Sequence, residues 1–319
     1  MTTSPERTAF LLEGLDGGNP LAFLAAVGLL RAASLVEPCW TPSMSWAVAS
    51  GGLRPTLALA GAVDQADLLD RIHRLLQTMD GHLALARWDN LGVPLKEYRQ
   101  YMQDAALAAT PSDRTWADFA AAFGSDAVAT RDAKKNMVIE DTALRTVSGA
   151  GHQHFLGIMR NVIAITTVDH LRRALFAPWD YADPMPNSTL RWDPVDDARH
   201  ALQWRNPSGD PARKVGGTML GATRLAIEGL PLFPTMPSGT RLQTTGFTGT
   251  GRRNTFFTWP LWEGEIGVDS CRSLLALAAL QGEVPDAAML RKRGVLAVFR
   301  SQRITEGKYR NFTPGRREG

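Results

Sequence analysis

Residues Leu21 to Val36 constrain this chain more than any other stretch, because they are apolar or small almost all the way round. A helix with so little polar face has to be buried on every side, and the rest of the chain must fold around it. Its start is well signalled. Asn19 suits the N-cap, where its side-chain oxygen accepts a free amide of the first turn. Pro20 suits the first helical position, where a missing N–H costs nothing. Just upstream, the stretch from Leu12 through Gly14, Asp16, Gly17 and Gly18 reads as a strand running into a glycine-rich turn. With about 16 residues and Arg31 inside it, the helix is short for a bilayer span. It is expected to be the central helix of a soluble core, in a chain that does not meet a membrane.

Other elements group around it. Ser43–Val48 and Thr56–Leu59 flank Ser50-Gly51-Gly52 and are expected to pair as a hairpin. Val63–Met79 is amphipathic, with Leu68, Leu69, Ile72, Leu75, Leu76 and Met79 on one face. Leu95–Ala108 reads as a helix, and Ser112 is a candidate cap for another over Trp116–Phe123. The polar run Gly124–Asn136 is expected to be a surface loop. Thr142–Val147 reads as a strand, Phe155–Ile165 as an apolar helix, and Val168–Phe176 as a helix capped by Thr166 or Thr167. Pro178–Pro194 is loop-like, and Ala201–Trp204 is strand material. Further on come an apolar helix at Ala222–Leu230, strands at Arg241–Phe247 and Thr255–Trp262, and a helix at Ser270–Leu280 capped by Asp269. Helices and strands alternate irregularly, without the spacing of a doubly wound sheet. The expected fold is α+β, with buried apolar helices packed on short antiparallel sheets. The chain has 319 residues, 44% of them hydrophobic, which is material for one large domain or two ordinary ones. The polar run suggests a division into 1–135 and 136–319.

Charge separates the two ends. The net charge is +3, but residues 1–198 carry a balance of −6 and residues 199–319 one of +9. From Arg291 to Gly319 there are nine basic residues against two acidic ones. Such asymmetry points to nucleic acid or an acidic partner on the basic side, with a solvated basic tail as the plain alternative. Cys39 and Cys271 are too few for a disulfide framework or a four-cysteine zinc site, and they fit a reducing cytoplasm. Met1 to Arg7 shows no export signal.

The main functional signal is Gly249-Thr250-Gly251-Arg252-Arg253-Asn254, between two expected strands. A basic, glycine-rich hairpin tip can approach a phosphate backbone closely. Phe256, Phe257 and Trp259 follow it; they can stack on bases or, more simply, be core. Arg213 and Lys214 precede the Gly216-Gly217-Thr218 turn, and Arg303, Lys308 and Arg310 lie in the basic C-terminal stretch with Tyr309 and Phe312. All are candidate nucleic-acid contacts. Ser148, Gly149, Gly151 and His152 form a candidate phosphate-binding turn ahead of a helix, and Gly17-Gly18-Asn19 and Gly216-Gly217-Thr218 offer the same option. None of these is a Walker loop or a dinucleotide fingerprint. His152, His154 and His170 are more simply structural than metal ligands. Asp193, Asp196 and Asp197 are dense enough for a cation but read better as a turn at Pro194. No catalytic residue, metal or cofactor is expected.

The stretch from Gly14 to Arg31, with Ser148–Leu156 and Thr255–Trp262, resembles proteins of type I-G (formerly I-U) CRISPR systems, where a short strand leads through Asn-Pro-Leu into an apolar helix ending in Gly-hydrophobic-Leu-Arg. The resemblance is to two subfamilies: the large subunit of the crRNA-guided surveillance complex and the extension protein that accompanies the helicase-nuclease. It implies a non-catalytic subunit of a type I effector that contacts crRNA or target DNA and other effector subunits. The alternatives are an accessory protein that docks the helicase-nuclease, and a metal-dependent nuclease using His152, His154 and the aspartates near Asp193.

Overall fold

A computed structural model describes residues 6–147, 149, 153–184, 188–195, 217–251, 253–306 and 309–318. β1 (Arg7–Leu11) leads through a glycine turn into α1 (Pro20–Val36). β2 (Ser43–Ala49) and β3 (Gly52–Ala60) form the expected hairpin, and β1 adds to it antiparallel, in the order β1-β3-β2. Four helices follow: α2 (Gln65–Gln77), α3 (Leu83–Ala86), α4 (Leu95–Ala108) and α5 (Thr115–Phe123). β4 (Gly124–Arg131) and β5 (Met137–Asp141) make a second hairpin, followed by α6 (Phe155–Ile165) and α7 (Val168–Phe176). The short strands β6 (Asp183–Pro184) and β7 (Gly217–Thr218) pair ahead of α8 (Leu220–Gly229). β8 (Thr235–Ser238) and β9 (Arg241–Thr244) form a third hairpin. A five-stranded antiparallel sheet completes the fold: β10 (Phe247–Gly249), β11 (Thr255–Trp262), then, after α9 (Val268–Leu275) and α10 (Ala287–Arg291), β12 (Val295–Glu306), β13 (Tyr309–Phe312) and β14 (Arg316–Glu318). The class is α+β, as expected.

α1 sits where its composition requires. Residues Pro20 to Ala33 are all buried. Asn19 Oδ1 accepts from the amides of Leu21 and Ala22 at 2.8 and 3.3 Å, and its Nδ2 donates to Asp193 Oδ1 at 3.2 Å. Asn19→Ala removes both the cap and that link, so the unfolding free energy should fall by about 1–2 kcal/mol, seen as a lower denaturant midpoint at unchanged slope.

Phe23 connects the helix to both larger sheets. It stacks on Trp46 of β2 and on Trp259 of β11, with centroids 6.2 and 5.8 Å away. The glycine turn before α1 is wedged between the same sheets: Gly17 donates to Leu53 O, and its own carbonyl accepts from Trp259 Nε1 at 2.8 Å. On another side, α8 lies against α1 at backbone contact. A Cβ on Gly28 would stand 1.9 Å from Leu225 O, an approach that only glycine permits.

Several expectations change. Gly124–Asn136 is not a surface loop: most of it is β4, and Val128 is buried. The polar residues close a turn, because the Asp132 carboxylate accepts from the amides of Lys134 and Asn136, both at 2.8 Å. The division suggested after residue 135 falls in that turn, and the hydrophobic core runs across it, from Phe10 to Phe312. Thr142–Val147 is a turn rather than a strand, since Thr142 O accepts from Arg145 N at 3.1 Å and Thr142 Oγ1 from Leu144 N at 3.3 Å. Local side-chain bonding of this kind competes with strand pairing. Asp113, not Ser112, receives the first amide of α5. Asp269 lies in the first turn of α9, which ends at Leu275, earlier than expected. The described residues from Val295 onward are not a solvated tail. β12 is an interior strand, paired with β11 on one side and with β13 and β14 on the other. Ala201–Trp204 lies outside the described residues.

Candidate nucleic-acid interface

The glycine-arginine segment is a hairpin tip, as its spacing suggests. Phe247 pairs with Phe257, and Gly249 with Thr255. Gly249 and Gly251 have φ of 72° and 97°, and a Cβ on Gly249 would lie 1.9 Å from Asn254 O. The tip is tied down from both sides. Thr255 Oγ1 donates to Gly251 O at 3.0 Å, and the Gln302 side-chain amide of β12 donates to Arg253 O. Arg253 and Asn254 are exposed; Arg252 lies outside the described residues.

The aromatic residues beside the tip have taken their simpler role. Phe257, Trp259 and Trp262 are buried, so they offer no face to a base. Phe256 is partly buried beneath Arg300, whose guanidinium carbon is 5.4 Å from the ring centroid. Arg300 is itself committed, donating to Thr258 Oγ1 at 3.0 Å and to Gly282 O at 2.7 Å.

Beside the hairpin tip opens a cleft of about 590 Å³. Its walls come from β5 and the turn after it (Ile139, Glu140, Asp141, Ala143), from the β8–β9 hairpin (Ser238, Arg241, Gln243, Thr244), and from Thr248 to Gly251. Arg303 of β12, Arg310 of β13 and Glu283 also line it. Both guanidiniums are oriented by backbone oxygens: Arg303 Nη1 donates to Ala143 O at 2.6 Å, and Arg310 Nη1 to Arg145 O at 2.9 Å. Those carbonyls belong to the Thr142–Val147 turn, so its failure to become a strand is what supplies the anchors.

The charged lining is mixed, Arg241, Arg303 and Arg310 standing with Glu140, Asp141 and Glu283. Asp141 is the carboxylate that acts on both arginines, yet it is already bonded to Arg145 Nη1. Glu140 Oε2 accepts from Leu242 N at 2.9 Å. Among the described residues, neither Arg303 nor Arg310 makes an ion pair. Burial, with the neighbouring charge of Arg310, pulls Arg303 down to about 10. Burial also lowers Arg310, with Arg145 adding to the effect. Both stay protonated at neutral pH. Arg303 Nε is covered and has no hydrogen-bond partner. A partly buried cation without a counter-ion is costly, and an anion in the cleft relieves that cost.

The glycine turns expected to cradle phosphate use their amides internally. Gly149, at φ 91°, donates to Gln153 O at 2.8 Å. In the first turn of α6, Phe155 N donates to Asn90 Oδ1 at 3.3 Å, and Leu156 and Gly157 both donate to Asp89 O at 3.0 Å. Gly18 N bonds Asp16 Oδ1, and Gly217 pairs with Pro184. Ser148, Gly151 and His152 lie outside the described residues, as do Arg213, Lys214 and Lys308.

Asp193 follows the turn reading: it is buried, and its Oδ1 accepts from Val195 N at 3.0 Å as well as from Asn19. Asp196 and Asp197 lie outside the described residues. His170 closes a capping box with Thr167 at the start of α7. Among the described residues, no group of three or more His, Cys, Asp or Glu is placed to hold a metal ion. Cys271 is buried, and burial pushes its thiol up to about 12. No described helix is long and apolar enough to cross a membrane.

Charge density pointed to Arg303 and Arg310 in the sequence. Asp141, Arg145 and Arg241 carried no comparable signal, because they join the site only through pairings between distant segments. Comparison with protein-family models, with curated proteins and with solved structures finds no match for this chain.

Proposed function

We propose that this chain is a non-catalytic nucleic-acid-binding subunit of a type I CRISPR RNA-guided effector complex, contacting crRNA or target DNA through the β10–β11 hairpin tip and the cleft beside it. The observation that carries the binding role is the pair Arg303 and Arg310, partly buried in a cleft without ion-pair partners among the described residues. Nucleic-acid backbone supplies the missing negative charge as a repeating array, and its release of counter-ions drives association. Arg253 at the exposed tip adds a rim contact. The placement in a CRISPR effector rests on the resemblance carried by Gly14–Arg31, Ser148–Leu156 and Thr255–Trp262.

Two experiments test this reading. Tagged chain expressed with its genomic neighbours should elute with other effector subunits and a short RNA. Elution with the helicase-nuclease alone and without RNA would shift the reading to a docking protein. Replacing Arg252 and Arg253 together by Ala should weaken binding roughly three- to tenfold and lower the slope of log K against log salt by about 1–2. An unchanged slope and affinity would remove the hairpin tip from the interface.

A further inference from the structure

The cleft also says which form of nucleic acid it suits. Arg303 and Arg310 are partly buried in the cleft, while Arg241 of its lining and Arg253 at the neighbouring hairpin tip are exposed. A duplex carries its phosphates on a stiff, wide cylinder, with a major groove alone about 12 Å across. Such a cylinder reaches the rim of a 590 Å³ cleft but not its interior. A single strand bends at every nucleotide and can direct one phosphate inward. We infer that the cleft takes the backbone of single-stranded nucleic acid, with one phosphodiester held between Arg303 and Arg310. This rests on the reading of the chain as a nucleic-acid-binding subunit and narrows it.

Three observations converge on that site. The two guanidiniums are pre-oriented by the carbonyls of Ala143 and Arg145, which fix direction without cancelling charge. Asp141, whose charge acts on both, is bonded to Arg145 and forms no ion pair with either. Arg303 Nε has no hydrogen-bond partner, so this guanidinium keeps a donor unspent while Ala143 O holds its Nη1. The walls supply hydroxyls at Thr248 and Thr250, which accept or donate equally well and carry no base preference. The buried aromatic side chains nearby make base stacking secondary, so affinity should depend on backbone charge and vary little with sequence.

The test compares forms of nucleic acid on the intact chain. Fluorescence anisotropy would measure binding of oligo-dT and oligo-U of about 20 nucleotides, and of a DNA duplex of equal length, at one salt concentration. The single strands should bind about tenfold or more tightly than the duplex. Arg303→Met with Arg310→Met should lower single-strand affinity by about tenfold and duplex affinity by less than about twofold. Arg303→Lys with Arg310→Lys, which keeps both charges, should recover part of the loss. Equal binding of duplex and single strand by the unaltered chain, a comparison that needs no variant, would overturn the inference and leave the nucleic-acid reading standing. Binding of neither form would overturn that reading too. Single-strand preference that survives the methionine pair would place the strand elsewhere and overturn the assignment to this cleft.

Discussion

Gly28→Ala should destabilise this protein by about 3 kcal/mol or more, although the same exchange in an exposed helix interior favours alanine by about 1 kcal/mol. The sign reverses because of what a methyl group would meet. Its carbon would lie 1.9 Å from Leu225 O, 2.8 Å from Leu225 C and 2.9 Å from Gly229 N. These are backbone atoms of α8, a helix buried along its length, so no rotamer change relieves the clash. The two helices must part, and α1 is the element on which both larger sheets pack. Overpacking in a tight core commonly costs about 1–3 kcal/mol, and a clash with rigid backbone belongs at or beyond the upper end. That is a large share of a typical total of about 5–15 kcal/mol. Gly264→Ala is the control: nothing lies within 4 Å of its added carbon, so its effect should stay within about 0.5 kcal/mol. Guanidinium unfolding midpoints of the two variants decide the matter. A Gly28→Ala protein as stable as the unaltered chain would mean that α1 and α8 do not touch as described.

That contact also shows what the sequence made legible and what it did not. α1 could be read because its signals are local: an Asn-Pro start and a run of apolar and small residues. The β2–β3 hairpin, α2, α4, α6 and the capped α7 were legible for the same reason. The pairing of α1 with α8 was not, since it joins residues nearly 200 positions apart, and Gly28 in isolation looks like any helix glycine. β4 was missed because Asp132 and its neighbours read as loop, whereas they only close a turn between two strands. The candidate site was half visible. Charge density singled out Arg303 and Arg310, and the glycine spacing singled out the hairpin tip. The same charge density suggested a tail, because nothing local reveals that Arg303 reaches the carbonyl of a residue 160 positions earlier. The cleft exists only once β5, the β8–β9 hairpin and β12–β13 have come together.

Glu228→Gln should cost about 3–5 kcal/mol by stranding two cations in the core. Arg31 was the residue that kept the central helix from reading as a membrane span, and the structure explains how a buried helix carries it. Glu228 of α8 accepts from Arg31 Nη1 through Oε2 at 2.8 Å and from Arg224 Nη2 through Oε1 at 2.9 Å. Arg224 also donates to Leu76 O of α2 at 2.6 Å. Their exposures are 4%, 3% and 0% for Arg31, Glu228 and Arg224, so water compensates none of them. The triad joins two helices and, through Leu76 O, reaches a third, and one carboxylate serves two guanidiniums. Burial, with a smaller push from the charge of Arg31, lowers Arg224 from its ordinary value, Glu228 opposing that shift, and Arg224 Nε and Nη1 find no acceptor. Glutamine keeps the shape of Glu228 but removes its charge and turns one of its two acceptor oxygens into an NH2 donor facing a guanidinium, so the loss measures charge and hydrogen bonding rather than packing. The companion experiment replaces the whole network by apolar groups of similar volume: Arg31→Met, Arg224→Met and Glu228→Leu together. Such replacements are often neutral or stabilising, because the desolvation of all three charges disappears with them. The triple variant should therefore unfold at a midpoint near or above that of the unaltered chain, while Glu228→Gln unfolds well below it. If the triple variant is as weak as the single one, the triad holds the α1–α2–α8 register through its directional bonds, and its charge balance is the lesser part.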